Sequence, residues 1–391
     1  MATVARPGKR DRAALVLAVL VAGVSAGLVF PVLPGLATQR GLPVLWVGLI
    51  LSANRVGRLV SAPWLGRAAD AVGSRTLLVA GLLAQLVSAA CFLAGCLSPR
   101  VAPWFLVGRL VQGPSAAAVT IAALTSALRG GGGQRAGGLR AVAAVGLPLG
   151  VLAGGLLTTP GAEWRVLAAS LGVQALAVAV AWRALPRDEV PAPVSPGGAA
   201  WRGPRALLLA GFNFVVSFTA LGVALTLITV GPAPGGPADG GAGARATALM
   251  VAVILSMAAA TVAVSRRVTS EASLPLALLL RSWGDGVAVS VAAVVGLGGA
   301  CGALSACATS LLGHWSPGAR LGSANGWSQA AGDLGGALGP LVAAAALERL
   351  GLDGAWRACA GVTVLLSAAL LALGAVVRVA RPALAQAPFE T

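Results

Sequence analysis

Tyrosine is absent from this 391-residue chain, and lysine and histidine occur once each, as Lys9 and His314. Acids are scarce as well, with twelve Asp and Glu in all, and charged residues make up 10% of the chain. A soluble domain carries about 25%. Each shortage excludes something. A single His makes a His-based metal centre or a Ser/His/Asp triad hard to assemble. A Walker A phosphate loop sets a Gly-rich run ahead of its Lys. Lys9 follows Arg6-Pro7-Gly8 and has no such run, so the chain carries no ATPase domain of that type. Cys91, Cys96, Cys301, Cys307 and Cys359 lie inside apolar runs without CxxC spacing, and read as small core residues rather than ligands.

What is abundant is apolar. Hydrophobic residues are 57% of the chain, glycine adds 54 positions, and the mean hydropathy is +0.88. A soluble fold has too little polar surface here to cover itself, so the bilayer is the solvent. At about 20 residues per crossing, twelve helices use roughly 240 residues. The remainder suffices for loops and termini. The net charge of +16 would suggest nucleic acid in a soluble protein. In a membrane protein it belongs on cytoplasmic loops, so no nucleic-acid partner is expected.

Apolar runs predict spans at 13–36, 44–65, 76–97, 103–128, 139–158 and 163–184, then 205–230, 245–264, 268–283, 286–312, 323–347 and 355–379. The first run is too long for a signal-peptide core and reads as a retained span. The ninth is short, and Arg281 and Asp285 crowd its end. A Pro/Gly-rich stretch, 185–204, separates two sets of six. The division expected is therefore an N-terminal bundle over 1–184, a cytoplasmic linker over 185–204 and a C-terminal bundle over 205–391. With both termini inside, 18 basic residues fall on inner loops and span ends, Arg129, Arg135 and Arg140 among them, against seven outside. That bias places both termini in the cytoplasm. The ten Trp cluster near span ends, as an interfacial belt does.

The chain also repeats itself. Gly146-Leu147-Pro148-Leu149-Gly150 resembles Gly335-Gly336-Ala337-Leu338-Gly339, and Trp164-Arg165 resembles Trp356-Arg357 further on. The fifth and sixth spans thus look like the eleventh and twelfth. Parallel six-helix repeats are a signature of secondary transporters, whose substrate site lies near the midplane.

Three motifs carry a family resemblance. Gly66-Arg67-Ala68-Ala69-Asp70-Ala71-Val72-Gly73-Ser74-Arg75 resembles the GxxxDxxGxR loop of the major facilitator superfamily, with Ala71 where the family usually has Arg. Gly108-Arg109-Leu110-Val111-Gln112-Gly113 is similar to that family's RxxxG element. Gly146, Gly150, Gly154 and Gly155 resemble the fifth-span signature of its exporters, with Val151 in the place of its Pro. Gly335, Gly339 and Pro340 are the second-half copy. The resemblance implies an all-α membrane protein of twelve transmembrane helices in two six-helix, pseudo-symmetric halves, the major facilitator fold. It implies that Gly66, Asp70, Gly73 and Arg75 form a conformational-switch loop. It implies a role for Arg109 in proton transfer or substrate contact, and helix packing for the glycines and Pro340.

Charges inside spans are functional by default, because each is costly there. Arg55 and Arg58 share a face of the second span, being three apart. The one carboxylate well inside a span is Asp333. Arg58 precedes Gly66 by eight residues, and Asp333 follows Asn325 by eight. Both therefore sit roughly 12 Å deep from the same side. An ion pair of Asp333 with Arg58 or Arg55 is expected, with Asp333 as the proton-coupling acid. Asn54, Gln85, Gln112, Thr120, Gln174, Asn213 and Ser217 are candidate cavity residues, although each alone reads first as an interhelical hydrogen bond. The two arginines favour an anionic or neutral polar substrate.

The reading is a secondary transporter of an inner plasma membrane, working by alternating access. It exports a small molecule by proton antiport, or else takes one up in a proton-linked or facilitated manner. It uses no cofactor and no metal; the sequence leaves the oligomeric state open, and is compatible with a monomer. A membrane-embedded enzyme would need a cluster of acids, His or Cys at one depth, and a sensor would need an output domain. Neither is legible in the sequence.

Overall fold

The computed structural model describes residues 9–29, 44–158, 161–185, 204–219 and 320–379, with isolated positions within 32–40 and 301–313. These form helices α1 (Lys9–Val29), α2 (Val44–Ala71), α3 (Ser74–Leu97), α4 (Val101–Leu157), α5 (Glu163–Ala184), α6 (Pro204–Val216) and α7 (Leu321–Val379). In lipid the backbone has no water to bond to, so apolar runs of this length close their hydrogen bonds within helices. Seven helical segments among the described residues are long and apolar enough to cross a membrane. α2, which carries Arg55, Arg58 and Arg67, is not counted among them. Its 28 residues still reach about 42 Å at 1.5 Å each. The expected spans at 245–264 and 268–283 lie outside the described residues, as do most of 286–312 and of the linker.

Two helices differ from the expected spans. Helical hydrogen bonding continues through 130–137, where a loop is expected between the fourth and fifth spans. The crossing segments are Val101–Arg129, here α4a, and Gly138–Leu157, here α4b. They run in opposite directions. Arg129 reaches Asp70 at the end of α2, and Leu139 packs with Ala18, Leu77 and Ala181 at that same end of the bundle. The run Gly130–Gly133 has no side chains to obstruct such a reversal. α7 likewise merges two crossing segments, Leu321–Gly351 (α7a) and Gly354–Gly374 (α7b). They part at Gly351, whose φ of 67° and ψ of −178° leave the helix. Gly73, at φ 90°, makes the tight turn from α2 to α3, a conformation that side chains with Cβ resist.

Three apolar clusters form the core. One lies at the Asp70 end and joins α1, α3, α4 and α5 through Ala18, Leu78, Ile121 and Ala177. Another lies at the opposite end, around Phe92, Phe105, Val29 and Val166. The third joins α4, α6, α7 and positions 301–312 around Leu209, Phe212, Cys301 and Trp356. Trp356 is thereby buried, at 4% exposure, instead of standing in the interfacial belt. Its ring fills the third cluster. Trp64, Trp104, Trp164, Trp182 and Trp327 are exposed.

The repeated glycines do equivalent work. A Cβ on Gly146 would lie 3.2 Å from Gly23 Cα, and one on Gly150 would lie 2.8 Å from Gly27 Cα, so α4b and α1 touch backbone to backbone. Gly335 presses the backbone of Phe214, where a Cβ would meet the Cα at 3.1 Å. α7a therefore stands against α6 as α4b stands against α1. Gly339 is buried, and Pro340 lies within the helix. Gly154 accepts the backbone N–H of Thr158 at 2.9 Å, whereas Gly155 has nothing within 4 Å of a Cβ.

Candidate functional site

α2 and α7a cross at a seam of small residues. A Cβ on Gly66 would lie 2.5 Å from the carbonyl of Gly322 and 3.0 Å from Gly326 Cα. Any larger residue at Gly66 would drive the helices apart. This close approach delivers Asp70, the last acid of α2, to the first turn of α7. The first N–H groups of a helix have no partner in the helix and carry the positive end of its dipole. Asp70 Oδ1 accepts the N–H of Gly322 at 2.8 Å, and Oδ2 accepts the N–H of Ser323 at 2.7 Å and its hydroxyl at 2.8 Å. Arg129 of α4a donates to Oδ1 at 2.8 Å. Asp70 is 6% exposed. One carboxylate thus clasps two helices distant in sequence.

The rest of the loop works differently. Gly73 sets the turn. Arg75 faces away from the seam: it donates to the carbonyl of Trp182 at 2.9 Å and lies over that ring, tying α3 to α5. The family's usual Arg after the acid is Ala71 here, and Arg129, counted above as a loop charge, supplies the cation to Asp70.

Two to three turns deeper lies the charged centre. Asp333 of α7a is 1% exposed. Its Oδ1 accepts Arg58 Nε at 2.9 Å and lies 3.5 Å from Arg55 NH1. Its Oδ2 has no hydrogen-bond partner among the described residues. Gly336 makes room for Arg55, whose NH1 would stand 3.0 Å from a Cβ there.

Beside this pair is a residue that loop counting misplaces. Arg140 was expected among the cytoplasmic loop charges; it turns inward instead, donating NH1 to Thr309 Oγ1 and NH2 to Asn213 Oδ1, each at 3.0 Å. Asn213 in turn donates to Ser328 Oγ. Arg140 is two residues inside α4b, so α6 and α7a cover it. Its position next to a run of loop glycines hid it in the sequence.

Arg109 is buried. It donates to Gln112 Oε1 at 2.8 Å and lies 5.7 Å above the ring of Phe92. Gln112 Oε1 also accepts Asn54 Nδ2 at 3.1 Å, linking α2 to α4a. Gln85, Gln112 and Gln174 line a small polar cavity together with Ser25, Ser88 and Ser170. Gln174 is spent on the carbonyl of Leu82 at 3.1 Å, and Thr120 on that of Ala116 at 2.9 Å. Ser217 stands beside Gly332, its Oγ 3.1 Å from a Cβ placed there. The structure thus joins Arg55, Arg58 and Asp333 in one cluster and Asn54, Gln112 and Arg109 in another. Thr120 bonds within its own helix, and Gln174 bonds across from α5 to α3. Cys91, Cys96, Cys301 and Cys359 are buried and free.

A carboxylate on a helix N-terminus and, deeper, a buried ion pair thus join the same two membrane helices, α2 and α7a. The Major Facilitator Superfamily model matches residues 15–281, more than half of the chain, and the chain belongs to that superfamily of transporters. It is a multi-pass membrane protein with the major facilitator fold. It is 34% identical over 170 residues to the class G tetracycline resistance protein of Vibrio anguillarum. That match takes in 41% of this chain and 42% of the relative, so the chain spans under half of that protein's length. Among solved structures, the human organic anion transporter MFSD10 (TETRAN) superimposes with a TM-score of 0.77 at 22% identity, covering 93% of this chain and 99% of that one. A bacterial homologue of the iron transporter ferroportin, in its outward-facing state, gives 0.75 at 10% identity over 93% and 99%. The E. coli fucose:proton symporter FucP gives 0.66 at 17% identity over 91% and 98%.

Proposed function

We propose that this chain is a secondary active transporter that works by alternating access and exports a small molecule in exchange for protons. The observation that carries the reading is Asp333. It is a buried acid on α7a, held by two arginines of α2, with one oxygen lacking a partner among the described residues. Protonating it removes the charge on which both contacts depend. Proton binding therefore favours separation of α2 from α7a, and proton loss favours closure. Asp70, on the helix N-terminus, acts as the latch of the closed side. The moving bodies are the six-helix units 1–184 and 205–391, joined by the linker 185–204. With both termini in the cytoplasm of an inner plasma membrane, the closed side is the cytoplasmic one. The similarity to a tetracycline resistance protein supports export, as does the tight glycine packing of α4b on α1.

A second reading, proton-linked uptake, is supported by the company Asp333 keeps. An acid that competes with cargo for arginines couples the proton to an anion moving with it.

Reconstitution into proteoliposomes with an imposed pH gradient tests the reading. Anionic, neutral and cationic solutes are offered to wild type and to Asp333→Asn. Gradient-driven flux that the variant loses supports coupling, and its direction separates export from uptake. Flux indifferent to both gradient and variant leaves a facilitator and removes Asp333 from the mechanism.

A further inference from the structure

Among the described residues, the charged centre does not balance. α2 brings Arg55 and Arg58, and α4b brings Arg140. α7a brings Asp333, and α6 brings only the neutral Asn213 and Ser217 among the described residues. Arg58 lies within electrostatic reach of both Arg55 and Arg140. Among the described residues, three guanidiniums thus stand with one carboxylate: Arg55 and Arg58 share it, and Arg140 is bonded to neutral partners, Thr309 and Asn213. Like charges held together in a low-dielectric region repel strongly unless a counter-charge or water joins them. Two of the cations, Arg55 and Arg58, are more accessible than the acid. The Arg55 side chain is 31% exposed and that of Arg58 18%, against 2% for Asp333.

We propose that Arg55, Arg58 and Arg140 form a binding site for a small organic anion bearing a carboxylate or phosphate-type group, and that Asp333 holds its place while the site is empty. This rests on the alternating-access reading and gives that reading its substrate class. A guanidinium presents its donors in a planar fork that matches such groups two oxygens at a time. In the structure Arg58 gives its Nε to Asp333, and the anion takes that place. Asn213 and Ser328 stand beside Arg140 as neutral donors for further oxygens.

The competition has a sign. The anion and ionised Asp333 claim the same arginines. A proton on Asp333 ends its claim, so proton and anion binding strengthen each other by equal factors. Two ligands that bind cooperatively to one state cross together. For an anionic solute the site therefore selects symport, the second of the two directions above. A cation would instead compete with the proton for Asp333 and be exchanged for it.

The test is ligand binding to the purified full chain in detergent, read by thermal unfolding and tryptophan fluorescence. The probes are benzoate, fumarate and phenyl phosphate, with benzamide as the neutral and tetraphenylphosphonium as the cationic control, each at pH 6 and pH 8. At least one anion is expected to bind more tightly than both controls, and to bind wild type no more weakly at pH 6 than at pH 8. Asp333→Asn is expected to keep the tighter affinity at both pH values. Arg58→Gln and Arg140→Gln are each expected to weaken it by about tenfold or more, with Arg140→Lys retaining part. Three results overturn the proposal: none of the three anions binds, Asp333→Asn loses anion binding, or tetraphenylphosphonium is preferred to every anion. A fourth is saturation by phosphatidylglycerol with exclusion of the soluble anions, which gives the site to a lipid headgroup. The proteoliposome panel separates the two levels. Movement of cations but not anions sinks the anion site and leaves the transporter. No movement of any charge class sinks the transporter, whatever binds.

Discussion

Asp333 offers one carboxylate to two arginines, and among the described residues only its Oδ1 is engaged. Breaking a buried ion pair from one side costs about 3–5 kcal/mol in soluble proteins, because the remaining charge is stranded. The figure is smaller here, since Arg55 and Arg58 both reach open space. Arg58→Asp alone should lower the unfolding temperature in detergent, since it sets two acids together, and Asp333→Arg alone should lower it too. The double exchange, Arg58→Asp with Asp333→Arg, should recover much of the loss. Recovery measured as a double-mutant cycle shows direct coupling; additive losses would mean that the two act apart. The contact itself was legible in the sequence, because counting residues from the ends of two spans put both charges at one depth. Arg129 and Arg140 were not legible as partners. Each sits within a turn or so of a span end, where an arginine reaching inward and one lying in a loop have the same sequence signature.

At the scale of helices, the fold rests on glycines that let backbones touch. Such close approaches join α1 to α4b, α6 to α7a and α2 to α7a. Gly150 and Gly155 stand in one motif but in different surroundings. A Cβ at Gly150 strikes the backbone of α1, while one at Gly155 meets nothing within 4 Å. Gly150→Ala should therefore destabilise by about 1–3 kcal/mol, the range for overpacking, and Gly155→Ala should be neutral or slightly stabilising. Unfolding temperature and the yield of monodisperse protein check this. Equal effects at the two sites would show that composition matters there and contact does not. The motif flagged all four glycines alike, since a sequence shows spacing but not which face meets a neighbour. The joined limbs of α4 and α7 were hidden for a related reason. Apolar runs mark where lipid is crossed, whereas helical hydrogen bonding through 130–137 is a property of the backbone.

For the whole molecule, the described contacts seal one side. Asp70 holds α7, Gly66 and Gly322 close the seam, and Asn325 of α7a donates to the carbonyl of Ile121 in α4a at 3.2 Å. Asn325 is 3% exposed behind this seal. In a background with the native cysteines changed to Ser, Asn325→Cys should react slowly with an impermeant thiol reagent applied from the Asp70 side. Adding Asp70→Asn removes the charge on the helix N-terminus and should raise that rate severalfold. An unchanged rate would show that the glycine seam alone holds the side shut. Membrane class and family were legible at this scale, because composition and loop motifs report them directly. On the alternating-access reading, which side the described contacts close was not, since a carrier's sequence encodes every state it visits.

The glycine seam also bears on how often the gate can be worked. Most protein joints freeze side chains when they close, at about 0.5–1.5 kcal/mol for each mobile one. Gly66, Gly322 and Gly326 have none to freeze. On the alternating-access reading, the glycine contacts themselves add no rotamers to order when the seam closes. The ordering falls on the few side chains that bond across it, Asp70 and Asp333 with their partners above all. The glycine surfaces then behave like a bearing, and the balance between open and shut is left to the two carboxylates.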